Sequence, residues 1–136
     1  MTTTLRSSIK AQLAWTWHDR VGTSLITDSN RLQSDKDLPD GADADQADAV
    51  WHVEDQTLSA GQWTILELDT LELGCFGDTI VIPFSKVKAV LIVHRNTSAG
   101  GHLLVGGAAT DEWYAPFGAS GDTVKVMPDS PLLLCH

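Results

Sequence analysis

Cysteine is scarce, since Cys75 and Cys135 are the only two in 136 residues. Two thiols cannot make the disulfide framework of a small secreted domain, so stability must come from a packed core or from partners. Either cysteine is equally at home as a buried thiol. Basic residues are also few. Nine Lys and Arg stand against 18 Asp and Glu, a formal net charge of −9. Phosphate backbones and anionic lipid surfaces are recognised by clustered cations, so binding to nucleic acid or to a membrane surface is not expected. No apolar run is long enough to span a bilayer as a helix, and Met1-Thr2-Thr3-Thr4-Leu5-Arg6 lacks the apolar stretch of a signal peptide.

Catalytic patterns are missing too. No His-x-His occurs among His18, His52, His94, His102 and His136, so the ligand pattern of a cupin-like metalloenzyme is absent. His94 and His102 are placed to meet across a hairpin, an arrangement more common as a surface pair than as metal ligands. Gly118-Ala119-Ser120-Gly121 holds a serine among glycines without the Gly-x-Ser-x-Gly elbow. Gly100-Gly101 and Gly106-Gly107 lack the Lys and the following helix of a phosphate loop. Cys75 lies between Glu72 and Asp78, with no cation nearby in sequence to activate it. From Asp43, an EF-hand count puts Asp48 where the turn glycine belongs, although Glu54 fills the twelfth place. The expectation is a protein without catalytic residues, cofactor or metal.

What is present is two-residue periodicity. Ile9, Ala11, Leu13, Trp15 and Trp17 alternate with Lys10, Gln12, Ala14 and Thr16, which puts two indoles on one face of a strand. A short β-prone piece follows at Thr23 to Thr27. Residues 28–48 then read as a long acidic loop, with Asp35, Asp37, Asp40, Asp43, Asp45 and Asp48 against Arg31 and Lys36. Further strands are expected over Ala49 to Asp55, Gln62 to Thr70, Thr79 to Ile82, Val87 to Val93, Leu103 to Val105, Thr123 to Met127 and Leu132 to Cys135. Leu71 to Asp78 reads as a loop, because Gly74 and Gly77 interrupt it; Asn96 to Gly101 and Pro128 to Pro131 read as turns. Val87 to Val93 is apolar on both faces, the mark of a central strand covered on both sides. About eight short strands without an amphipathic helix imply one all-β domain over residues 1–136, a β-sandwich or jelly roll with a flexible arm at 1–6.

Five tryptophans, Trp15, Trp17, Trp51, Trp63 and Trp113, could form a sugar-stacking platform, which makes a carbohydrate-binding module one rival function. At strand spacing, large aromatics more often serve the core or a subunit contact. Trp15, Trp17, Val90, Ile92, Trp113 and Phe117 are therefore the candidate partner-contact residues.

Several architectural stretches resemble a family of small structural proteins of tailed bacteriophages. They are Ile9 to Trp17, Gly41 to Asp48 before Val50-Trp51-His52, Thr57 to Ala60, Leu66 to Leu68 and Val87 to Val90. The clearest are Leu103-Leu104-Val105-Gly106-Gly107-Ala108-Ala109, Pro116-Phe117-Gly118 and Asp122-Thr123-Val124-Lys125-Val126. The resemblance implies a non-enzymatic virion protein, made in the host cytoplasm. Its partners would be copies of itself, as a trimer, and the major capsid protein or other virion proteins. Capsid decoration (a cement protein stabilising the shell) is preferred over a tail or fibre component. Members of the family continue past the last apolar strand through a further hairpin, whereas this chain stops at His136. Two expectations fit this departure: the sequence is a shortened version, or its final sheet is completed by a neighbour.

Overall fold

A computed structural model describes residues 4–97, 100–108 and 110–135. Residues 1–3 of the expected arm, 98 and 99 of the expected turn, Ala109 and His136 lie outside the described residues. The chain is all-β: no helix occurs among the described residues, and eight strands pair in four antiparallel two-stranded sheets. It divides into two compact units, Met1–Val50 and Trp51–His136, where length alone suggested one domain.

The first unit is built on one long hairpin. Strand β1 (Ser7–Val21) pairs with β2 (Ser24–Leu38) through fifteen successive residues, from Ser7 opposite Leu38 to Val21 opposite Ser24. Gly22 and Thr23 make the turn, with Gly22 at φ 63° as the first central residue of a II′-type hairpin requires. The expected acidic loop therefore starts eleven residues later than its composition suggested. Residues 28–38 are strand, because cross-strand pairing with the β-prone opening segment overrides their polar character. Trp15 Nε1–H donates to Asp28 Oδ2 (3.1 Å), and His18 Nδ1 lies 3.0 Å from Thr27 Oγ1. Beyond β2 the chain makes a tight loop: Ala47 N–H donates to Pro39 O, and Asp43 N–H to the Gln46 side chain. Leu5 N–H is tied to Asp40 Oδ1 at 2.8 Å, so the segment just before β1 is anchored.

In the second unit, β3 (Leu71–Cys75) and β4 (Asp78–Ile82) form a tight hairpin. Residues 71–75, read from sequence as loop, are thus a strand. The glycine that argued against it, Gly74, meets nothing within 4 Å, and the turn sits at Phe76-Gly77, both at positive φ as a I′ turn demands. Leu71 and Ile82 face each other and are both buried. The strands expected over Ala49 to Asp55 and Gln62 to Thr70 do not form. Those residues are irregular, held by Trp51 Nε1–H to Glu72 O (2.9 Å) and Phe84 N–H to Leu68 O (2.9 Å).

The last four strands nest. β5 (Ala89–His94) pairs with β8 (Ser130–Cys135), enclosing a second pair formed by β6 (Leu103–Gly106) and β7 (Thr123–Val126). Three expectations are corrected here. β5 has one hydrogen-bonded neighbour, so it is not the doubly flanked central strand its apolar run implied. Pro131 lies inside β8 opposite Val93, tolerated because a strand with one neighbour keeps an edge where no N–H is needed. β5 and β6 belong to different pairs, so His94 and His102 do not face each other across a hairpin. His94 Nδ1–H instead donates to Val126 O (3.3 Å), joining the outer pair to the inner one.

Candidate interaction surfaces

Period-two geometry fixes what each ladder shows to solvent. Along the β1–β2 ribbon, residues directly opposite share a face. One face carries Ile9, Leu13, Leu32, Trp15, Trp17 and Ile26; the other carries Lys10, Gln12, Thr16, Arg31, Gln33 and Asp35. A polar outer face and an apolar inner one is ordinary for a sheet packed on one side. Here the apolar side is uncovered: Leu13 is 65%, Leu32 69% and Trp17 73% exposed. Leu38, at the base, is the buried hydrophobic residue of this unit among those described. A solitary two-stranded hairpin is marginally stable in water, so a ribbon about 50 Å long needs something laid on its apolar side.

A second uncovered face lies on β5–β8. Val90 opposite Leu134 and Ile92 opposite Leu132 form the more covered side. Leu91 opposite Leu133 and Val93 opposite Pro131 form the other, with Leu91 and Val93 strongly exposed. Val90 and Ile92, expected to meet a partner, point toward their own unit. The neighbours skipped by that choice are the ones displayed. A run apolar at every position gives no sequence signal for which parity faces inward.

The third feature is the loop between β6 and β7. Glu112 organises it: one carboxylate oxygen accepts from Gly107 N–H (2.7 Å), the other from Gly121 N–H (2.7 Å) and Ser120 Oγ (3.0 Å). The carboxylate thereby ties together the two ends of the loop. Asp122 Oδ2 accepts from Ala119 N–H, and Tyr114 O accepts from Phe117 and Gly118 N–H, which turns the chain between them. Trp113 and Phe117 meet edge to face, with ring centres 6.3 Å apart and planes at 77°. Of the six expected contact residues, these two are brought together, Trp15 and Trp17 share the ribbon face, and Val90 and Ile92 share the inner side of β5. Trp113, Pro116, Val87, Ala89 and Leu134 line a small open cavity of about 200 Å³. Glu112 itself escaped the sequence reading. Its only signal was an acid between Gly106-Gly107 and the Gly118 to Gly121 stretch, a pattern common to ordinary turns.

The Gly121 amide is the main cause of a lowered Glu112 pKa, below its ordinary 4.5; partial dehydration opposes it, and Gly107 and Ser120 reinforce it. A carboxyl group whose folded pKa is depressed stabilises the fold fully above its unfolded value and loses that contribution as pH falls through the folded one. The Gly107 and Gly121 amide proton resonances should therefore titrate together, with one midpoint below 4.5. Glu112→Gln should remove that transition from both.

Among the described residues, no three His, Cys, Asp or Glu side chains converge on a point where a metal could bind. Both thiols are free. No protein-family model, curated protein or solved structure matches the chain.

Proposed function

We propose that the chain is a non-enzymatic structural subunit of a tailed-phage particle, a capsid decoration protein working as a homo-oligomer, threefold in the preferred form. The observation carrying this reading is the imbalance between buried and exposed apolar residues. Among the described residues, Leu38, Leu71, Ile82 and Val126 are the buried hydrophobics, while the ribbon and the outer β5–β8 face stay open. A monomer seldom exposes contiguous apolar patches of this kind; a subunit meant for an assembly does. The acidic loop at residues 39–48 and the polar ribbon face supply the hydrophilic surface that an assembled subunit turns to solvent.

The jelly-roll form belongs to the same proposal. In a jelly roll, a long hairpin folds over so that its strands pair from the outside inward across two sheets. The pairing of β5 with β8 around β6 with β7 follows that order and supports the reading. Completion of the sheets by neighbouring subunits would cover the free edges, which are otherwise a route to aggregation. The function would be mechanical, with each bound copy adding to shell stability by mass action.

The test pairs sedimentation of the purified protein with mass spectrometry of particles of the encoding phage, followed by thermal melting of shells with and without added protein. Oligomers in solution, presence on the particle and a raised shell melting temperature are expected. A protein that is monomeric at tens of micromolar and absent from particles would end this reading.

A further inference from the structure

The ribbon's apolar face has a pattern that suits one occupant, the same face of a second copy. Five successive rows across β1 and β2 are Ile9 with Lys36, Ala11 with Ser34, Leu13 with Leu32, Trp15 with Asn30, and Trp17 with Asp28. Laying an identical ribbon face to face, antiparallel, about a twofold axis at the Leu13–Leu32 row sets β1 on β1 and β2 on β2. Ile9 then opposes Trp17, and the small Ala11 opposes the large Trp15. Leu13 and Leu32 each oppose their own copies. On the β2 side Ser34 opposes Asn30, and the cation of Lys36 opposes the carboxylate of Asp28.

Size, polarity and charge thus match across these five rows in that one register. A shift by one row would put Lys36 against Asn30 and remove the charge pairing. Both charged residues have an intrachain partner, Lys36 in Asp45 (3.0 Å) and Asp28 in the Trp15 indole N–H (3.1 Å), but both contacts are exposed, so each is weak and readily exchanged. From their exposures, Leu13, Trp15, Trp17 and Leu32 alone offer on the order of 500 Å² of apolar surface per copy within these rows. A standard stable interface buries roughly 800 Å² per partner, so the face is of the size a lasting self-contact needs.

We infer that the β1–β2 ribbon is a twofold self-association arm, whose Leu13 row lies on the axis. The contact has the geometry of aligned sheet-on-sheet packing, about 10 Å between layers. Being isologous, it closes on itself and does not propagate into fibres. It depends on the ribbon alone and holds whether or not the chain serves a phage particle. Threefold contacts elsewhere would make the full assembly a pair of trimers.

In a Cys75→Ser, Cys135→Ser background, Leu13→Cys should be joined to a second copy by a short bis-maleimide. Thr16→Cys, on the polar face, should not. Sedimentation then tests the register: Lys36→Asp and Asp28→Lys should each weaken arm pairing by about fivefold or more, halving the assembly mass at low micromolar concentration. The double variant should restore it, and Asp45→Asn should leave it unchanged. Equal cross-linking at both cysteines, cross-linking at neither, or a double variant as weak as the singles would overturn the inference. Loss of threefold symmetry or of particle binding, with arm pairing intact, would count against the decoration role and leave the arm in place.

Discussion

Val126→Asp is expected to abolish the cooperative thermal transition of the Trp51–His136 unit at neutral pH. Val126 is 4% exposed and faces Leu103 across the inner ladder, on the side shared with Val105 and Val124. Its carbonyl receives the His94 hydrogen bond that links inner and outer pairs, so the residue sits where the two ladders are joined. A carboxylate in place of this buried side chain would lose its hydration, and burying one unpaired costs several kcal/mol even after local relaxation. Domains of this size hold only about 5–15 kcal/mol in all, and a unit with so few buried side chains stands at the low end of that range. Lys125→Asp is the control. Lys125 is exposed on the opposite parity, and its replacement should change stability by no more than about 0.5 kcal/mol. Thermal melting followed by circular dichroism separates the two outcomes. A Val126→Asp protein that melts like wild type would show that the inner face of β6–β7 is not the core of this unit.

Gly106→Ala should lower the melting temperature by about 10 °C, corresponding to about 2 kcal/mol for a unit of this length. Gly106 has φ 102°, where an L side chain is strained, and a Cβ there would lie 2.6 Å from Asp122 O. The obstructing atom is backbone, at the mouth of the loop that Glu112 clamps, so relief requires the loop ends to part. Separation of those ends would also disturb Gly107, whose own Cβ position is 2.9 Å from the Thr123 methyl. Gly74→Ala is the matched comparison within a strand. Nothing lies within 4 Å of its Cβ position and its φ is unrestricted, so the change should be neutral or stabilising by up to about 1 kcal/mol. Equal losses at both positions would mean that the cost at Gly106 is general strand glycine behaviour and not the close approach to Asp122.

Much of the architecture was legible from alternation alone. The β1 segment, the short strands at β4, β6 and β7, and the absence of helices among the described residues all follow from period-two patterning with Gly, Pro and Asp punctuation. Misreadings cluster where local composition and pairing disagree. Residues 28–38 look like solvated loop because Asp, Ser and Gln dominate them, yet they pair residue for residue with β1. Gln62 to Thr70 alternates well and finds no partner strand, so it stays irregular. Alternation measures fitness for a ladder, and a strand also needs a neighbour in register.

The functional surfaces divide along the same line. Trp15 and Trp17 were identifiable as a shared apolar face, because strand parity places them together whatever they pair with. Which side of β5 is displayed was not, since Val90, Leu91, Ile92 and Val93 carry no polar residue to mark the outside. Covalent spacing and side-chain chemistry alone settle the all-β class, the acidic surface and the two-faced character of β1, because these are local properties of consecutive residues. The nested order of β5 to β8, the exposure of Leu91 and Val93, and the Glu112 clamp across Gly107 and Gly121 come from residues far apart in the chain. Their meeting depends on which long-range pairings close, and nothing in a local pattern encodes that choice.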